Sequence, residues 1–465
     1  MTLRRRTFLA GAAGLSPFVL AACATGGAPA PQAPKVSSTN GDAKNPFGVD
    51  PKAPLDVVIF KGGFSDDYAK FHESMYKKRY PEASVKHTGI QDVATQMQPR
   101  FVGGNPPDVL DNSGMPVPVA TLASQGQLTD LAPLLAAPAW DTEGKTVGDT
   151  LLAGATSTLT FEGKALGINY AYNLGGIWYN GKLFREKGWE YPETWDGLMA
   201  LGAETAKASI PLWTYQGQHP GYMLGVIMPM FQKHGGNEVM KHIDNLEDGA
   251  WQQESVRLVA EAMEEIKSRK FLLPGTASLT HIQAQAAWLK HKAAIIPCGS
   301  WLKNEMKSQV PADFEMQIAP TPSLSESDKI PFAAINNGPG EDFIIPAQAK
   351  NVPGGLEFLR IMMSVEGARQ FAELTHTLTV VADAHSDQTS DPIIVSSNER
   401  LQAAKQVEPL ENSMYPTWYP KLYEEASAAT GVLLTGNLDA KGFVDRIQKY
   451  ADKVKKDPKI KKFTR

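Results

Sequence analysis

The sequence predicts an α/β protein with more than one domain, and three observations predict it. The chain has 465 residues, too many for one small core. Its first folded stretch alternates short β-branched runs with amphipathic helices, and the same alternation resumes midway along the chain. At 42% hydrophobic and 21% charged residues, the composition is that of ordinary globular material without a bias toward disorder.

Folded sequence begins at Leu55. Asp56–Phe60 (DVVIF), stopped by Lys61-Gly62-Gly63, suits a buried strand. Asp66 to Tyr80 spaces Tyr68, Phe71, Met75 and Tyr76 along one helix face. SVKHTG is a second strand, Gln91–Phe101 a second helix and PDVLDNSG a third strand with its loop. This order predicts a parallel sheet, whose ligands bind beyond the carboxyl ends of the strands. Gly63–Asp66 and Asp111–Gly114 therefore meet in one crevice.

The second region opens with a strand at Gly175–Asn180, a helical turn at Leu183–Lys187 and a helix N-capped by Thr194. PLWTYQG follows as a strand, then helices over Val256–Arg269 and Gln283–Lys290. KAAIIPCGSW, DFEMQIAPTP and EDFIIPA are further strands. Gly354–Thr375 and the segment after Tyr419 finish the chain as helices.

Ahead of this lies an export signal. Residues 1–22 run from a basic cluster through a short apolar stretch into small residues before Cys23. The stretch is shorter than the ~20 apolar residues a bilayer span needs, so it reads as cleavable. Arg5-Arg6-Thr7-Phe8-Leu9 resembles a twin-arginine core, with Arg4 where Ser or Thr is usual, and Leu20-Ala21-Ala22-Cys23 resembles a lipoprotein lipobox. That resemblance implies lipidation of Cys23 and anchoring to the outer face of the cell membrane. Residues 24–54, rich in Gly, Ala, Pro and Ser, form a flexible tether of roughly 30 Å. Cys298 is then left without a partner and reads as a buried small hydrophobe.

The formal net charge is −4, and loss of Arg4, Arg5 and Arg6 with the signal leaves the mature chain more acidic. A nucleic-acid binder needs a concentrated basic footprint; the one basic run, Lys449 to Arg465, suits a solvated helix end. A hydrolase needs assembled chemistry. The chain has no G-x-S-x-G, H-E-x-x-H or P-loop, and its two S-x-x-K matches, at Ser74 and Ser300, lack a following K-T-G. The acids Asp66-Asp67, Glu190 and Glu193 give no catalytic pair to a glycosidase. The expectation is a binding protein without a cofactor or metal.

Six landmarks in order carry a resemblance over Leu55 to the C-terminus. They are Asp56–Phe60; Gly104-Asn105-Pro106-Pro107-Asp108-Val109; Gly163-Lys164 with Gly167; Ile177-Trp178-Tyr179-Asn180 with Phe184; Pro192-Glu193-Thr194-Trp195; and Lys292-Ala293-Ala294 with Gly299-Ser300-Trp301. With them the chain resembles the extracellular solute-binding proteins of carbohydrate ABC importers, the class that contains maltose-binding protein. NPFGVDPKAPLDVVIFKGGFSDDYAKF, RFVGGNPPDV, IPCGSW and GGLEFLRIMMS resemble the subgroup that binds N-acetylglucosamine and chitobiose. Gly114–Thr121 and Asn336–Gly340 depart from that subgroup, and both are loops that could touch ligand.

The resemblance implies two α/β lobes joined by a hinge and closing on a sugar. It places 55–168 with 299–364 in lobe one and 169–298 with 365–465 in lobe two. It also implies an ABC permease as partner and a monomeric protein. A neutral sugar needs aromatic plates for its faces and polar groups in its plane. In maltose-binding protein the region before the last helices carries a sugar-stacking Trp, with which Trp418 lines up. Trp418 and Tyr415, held by Pro416 and Pro420, are the expected floor. Trp301 is expected at the cleft, with Tyr215 and Gln216 after a lobe-two strand whose Trp213 is core. Asp66 and Asn112 stand at lobe-one strand ends, Asn169, Tyr170 and Tyr172 at the hinge, and Glu341 after a Gly-Pro-Gly turn.

Overall fold

The structure is a computed structural model that describes residues 44–385 and 392–465. The signal, Cys23 and most of the tether lie outside the described residues.

The strands are β1 (Leu55–Phe60), β2 (Val85–Ile90), β3 (Val109–Asp111), β4 (Thr160–Phe161), β5 (Lys164–Ala165), β6 (Ile168–Asn180), β7 (Ile295–Gly299), β8 (Met316–Ala319), β9 (Asn336–Ile344) and β10 (Leu378–Thr379). β1 pairs in parallel with β2 and β3, and the helices Asp67–Arg79 and Val93–Val102 make the crossovers, as the alternation predicts. Leu55, Val57 and Ile59 face one apolar cluster while Val58 and Phe60 face another, so both sheet faces are covered.

β6 joins this half to the rest. It is a 13-residue strand, more than twice the usual length of about 6. Its first part pairs with β9 and β10, beside Ile168 and Tyr170 of the first core. Its last part pairs with β7 and β8, and Ile177 and Tyr179 enter a second core rich in Trp, Met and Leu. β9 returns alongside it, from Ile335 in the second half to Phe343 in the first. Two lobes thus share one sheet, joined by two antiparallel strands.

The crossings differ from the expected boundaries. Leu302 and Met306 pack with Trp178 and Trp288, and β8 pairs with the far part of β6, so 299–335 lies with lobe two rather than lobe one. The helix Val365–Thr375 puts Phe371 against Tyr170, with ring centroids 4.8 Å apart, so it lies with lobe one. The physical reason is in β9. Gly338-Pro339-Gly340 reads as a loop, yet it runs extended against Ala171–Asn173, so the chain crosses inside a strand rather than at a turn. PLWTYQG makes only isolated bridges through Trp213, and Gly354–Thr375 is two helices separated at the N-cap Ser364.

Candidate interlobe sugar site

The two lobes meet at Trp301. It follows β7, is half-buried, and packs against the cores of both lobes. Across the gap stands Gly63, in the turn after β1. A Cβ at Gly63 would fall 2.8 Å from the Trp301 side chain, so only glycine admits the approach. Asn304 donates its Nδ2–H to the Gly63 carbonyl at 2.6 Å. The β1 turn and the turn after β7 therefore close on one another.

Further rings gather on the lobe-two side. Tyr222 lies edge-on to Trp301, with centroids 6.4 Å apart. Burial raises the Tyr222 hydroxyl well above its ordinary range, so it stays protonated and can donate. Tyr423 reaches the start of the helix Gly221–Gly235, where its hydroxyl sits 2.6 Å from the place a Cβ of Gly221 would take. Both tyrosines are half-buried.

On the lobe-one side Phe60 ends β1 half-buried, its ring held edge to edge between two glycines. A Cβ at Gly62 would lie 2.1 Å from one edge and a Cβ at Gly114 2.3 Å from the other. Beside it are the acids of the crevice. Asp111 accepts from the Tyr68 hydroxyl at 3.0 Å and from the Phe60 amide at 3.3 Å. Burial pushes its carboxyl up to about 7 against those bonds. Burial and the neighbouring Asp111 charge lift Glu341 well above the carboxylate range. Glu341 is a non-glycine residue at φ +60°, a strained position that points its side chain back toward Asp111 and Ser113.

Several expected site residues have other work. Tyr415 is fully buried and edge-on to Trp251 at 5.4 Å, so it is core. Tyr215 is 1% exposed in the same core, because its segment runs inside lobe two rather than ending at the gap. Gln216 is buried too, donating to the Pro297 carbonyl at 2.8 Å. Asn112 closes a turn on Val117, donating at 3.0 Å and accepting at 2.9 Å, and presents nothing to a ligand. Asp66 is buried and its side chain makes no cap bond to its helix; Lys61, Lys70 and His87 surround it. Asn169 donates to Asp342 at 2.6 Å and accepts from Thr158 at 3.1 Å, fastening the crossing strands. Tyr170 is core, its hydroxyl 3.1 Å from His72 Nε2. Tyr172 stays half-buried at the hinge and donates to Asn337 at 2.7 Å.

Trp418 does lie between the lobes, half-buried against clusters of both and stacked on Phe463. Cys298 is buried, with the Gln285 amide 3.7 Å from its sulfur. Among the described residues no group of three or more His, Cys, Asp or Glu could hold a metal, and no helix is long and apolar enough to cross a membrane.

Two lobes on a crossing-strand hinge, with aromatic side chains and hydroxyls at the seam, define a ligand-trapping binding protein. The chain belongs to the family of bacterial extracellular solute-binding proteins, which it matches over residues 55–369, and this family places it outside the cytoplasm. It is 33% identical over 466 residues to the diacetylchitobiose binding protein NgcE of Streptomyces coelicolor, covering 99% of this chain and 98% of that one. It is 22% identical over 331 residues to the multiple sugar-binding protein of Streptococcus mutans, covering 68% of this chain and 72% of that one. Among solved structures it resembles a chitin oligosaccharide binding protein, with TM-score 0.72, 18% identity, and 86% of this chain and 98% of the other covered. It also resembles the GacH receptor of Streptomyces glaucescens, with TM-score 0.69, 17% identity, and coverage of 86% and 98%.

Proposed function

We propose that the protein is the sugar-capturing component of an ABC importer, that it closes its lobes on N-acetylglucosamine or chito-oligosaccharides such as chitobiose, and that it hands them to a membrane permease. The observation that carries this is the meeting of Trp301 with Gly63 across the gap, a ring on one lobe facing open backbone on the other. An N-acetylated sugar offers apolar faces, ring hydroxyls and an amide. Trp301 and Phe60 supply faces, Tyr222 and Tyr423 supply donors, and Glu341 and Tyr172 stand at the hinge edge. Micromolar capture needs about −8 kcal/mol, within reach of two stacked rings and several hydrogen bonds after ordering costs. The likeness to NgcE along both chains supports the chitobiose assignment.

A second reading is a binding protein for another di- or oligosaccharide of malto-, cello- or xylo-type, favoured by the likeness to a multiple sugar-binding protein. Calorimetric titration with N-acetylglucosamine, chitobiose, maltose, cellobiose and xylobiose decides between them. Heat of binding confined to the N-acetylated sugars is expected. Binding of maltose alone would reverse the assignment, and release of monosaccharide from chitobiose would make the protein a hydrolase.

The protein works as a monomer held at the outer face of the membrane through lipidated Cys23. Mass spectrometry of the membrane-extracted protein is expected to show a modified N-terminal Cys23, and Cys23→Ser should release the protein into the medium.

A further inference from the structure

The segment Asp457–Arg465, which follows the helix Ala440–Lys456, leaves lobe two and ends up between the lobes. Its backbone is fastened to lobe two. The Phe463 N–H donates to the Tyr419 hydroxyl at 2.9 Å, and that hydroxyl donates to the Phe463 carbonyl at 3.3 Å. Arg465 pairs with the fully buried Asp244 at 3.0 Å and donates to the Asn412 carbonyl at 2.9 Å. Asn245 holds the Arg465 backbone in both directions, at 3.0 and 3.3 Å.

The side chains point the other way. The Phe463 ring lies on Trp418, with centroids 5.4 Å apart and planes at 26°. Its other neighbour is Phe161 of lobe one, edge-on at 5.8 Å and 67°. Lys461 forms an ion pair with Glu162, in the turn between β4 and β5 of the same lobe. One ring thus touches both lobes while its backbone belongs to one. A groove of about 550 Å³ opens on lobe one beside this contact, with Leu128, Pro133, Phe161 and Glu162 in its wall and Lys461 and Phe463 at its lobe-two edge.

We propose that Phe463 is a positioning residue that clasps the lobes together, setting the balance between open and closed forms without touching the sugar. Because Phe463 travels with lobe two and Phe161 with lobe one, hinge rotation away from this conformation separates the rings. Trp301 and Gly63 meet in the same conformation, so the clasp favours the form in which the lobes touch there. Losing it lowers the fraction competent to bind, and every ligand weakens by that one factor. The sugar readout rests on the proposed function; the shape readout does not.

The test uses Phe463→Ala, with Phe463→Tyr as the conservative variant and Phe161→Ala as the approach from the other lobe. Small-angle scattering of the sugar-free protein is expected to show a larger radius of gyration for both alanine variants and the native value for Phe463→Tyr. Calorimetry is expected to show N-acetylglucosamine, chitobiose and chitotriose weakened together by about 2- to 10-fold, the range of one aromatic pair, with their affinity ratios unchanged. A changed ratio between sugars would place Phe463 in the ligand site and overturn the clasp. An unchanged radius in all variants would overturn it too. If the native protein binds none of these sugars, the sugar assignment fails while scattering still decides the clasp.

Discussion

Trp301 on lobe two and Gly63 on lobe one stand so close that a single methyl group between them would fall 2.8 Å from the Trp301 side chain. Closure of the gap therefore depends on a missing side chain. Gly63→Ala is expected to keep the melting temperature within the noise of a surface change, since each lobe folds without that contact. Affinity for the sugar should drop at least about tenfold, because closure now meets a clash. Equal affinity in calorimetry would show that closure does not bring these residues together.

Tyr222 and Tyr423 offer rings and hydroxyls that can be separated. Phenylalanine at either keeps the ring and removes the donor. Each such change is expected to weaken chitobiose by about 1 kcal/mol, the net worth of one hydrogen bond. Enthalpy should carry the loss. Full affinity in the Tyr222→Phe, Tyr423→Phe double variant would take both hydroxyls out of recognition.

The buried carboxyls give a signed pH dependence. Burial raises Asp111 to about 7 and Asp342 to about 6, from an ordinary value of 3.8. A raised carboxyl keeps its proton in the folded form where the unfolded chain has lost it. The stability it contributes is complete below the ordinary value and disappears as pH rises through 6 and 7. Thermal melts should therefore show stability falling between about pH 4 and 7. Asp342→Asn, which still accepts from Asn169, should flatten that fall by about 3 kcal/mol.

Lys233 gives the opposite sign. It is fully buried, donates to the carbonyls of Thr321 at 2.6 Å and Phe332 at 2.8 Å, and burial lowers its amine to about 7. The unfolded chain then binds more protons between pH 7 and 10.5, so stability should rise with pH in that window. Lys233→Met is expected to abolish the rise in thermal melts, whatever its effect at pH 7.

Tyr415 is a test of core against site. Tyr415→Ala should cost about 3–5 kcal/mol of stability, as for other large-to-small core changes, and leave the affinity of the folded fraction intact. A loss of affinity without a loss of melting temperature would return it to the ligand.

The sequence makes the first lobe's sheet legible because alternation and turn chemistry agree there; DVVIF, SVKHTG and PDV all lie in or beside strands of that sheet. It makes Trp301 legible because a Gly-Ser-Trp turn ends a buried run. What it hides is β9, where Gly338, Pro339 and Gly340 carry no strand signal and owe their extension to pairing with β6. The tyrosines divide for a similar reason. Tyr415 and Tyr423 stand eight residues apart in one aromatic stretch, and only the packing of the final helices decides that the first enters the core and the second reaches the Gly221 turn. Asp66 and Asn112 sit where strand ends predict ligand groups, but neighbours within hydrogen-bond reach claim them first.

β6 belongs to both halves through one unbroken run of backbone pairing, from Ile168 to Asn180. Neither half can melt alone without stripping partners from the other, since losing one end of the ribbon strands amides at the opposite end. Heating should consequently produce a single calorimetric peak instead of two. Amides of residues 173–178 should exchange with deuterium only through that global event, as late as the deepest helices, although they lie where the molecule bends.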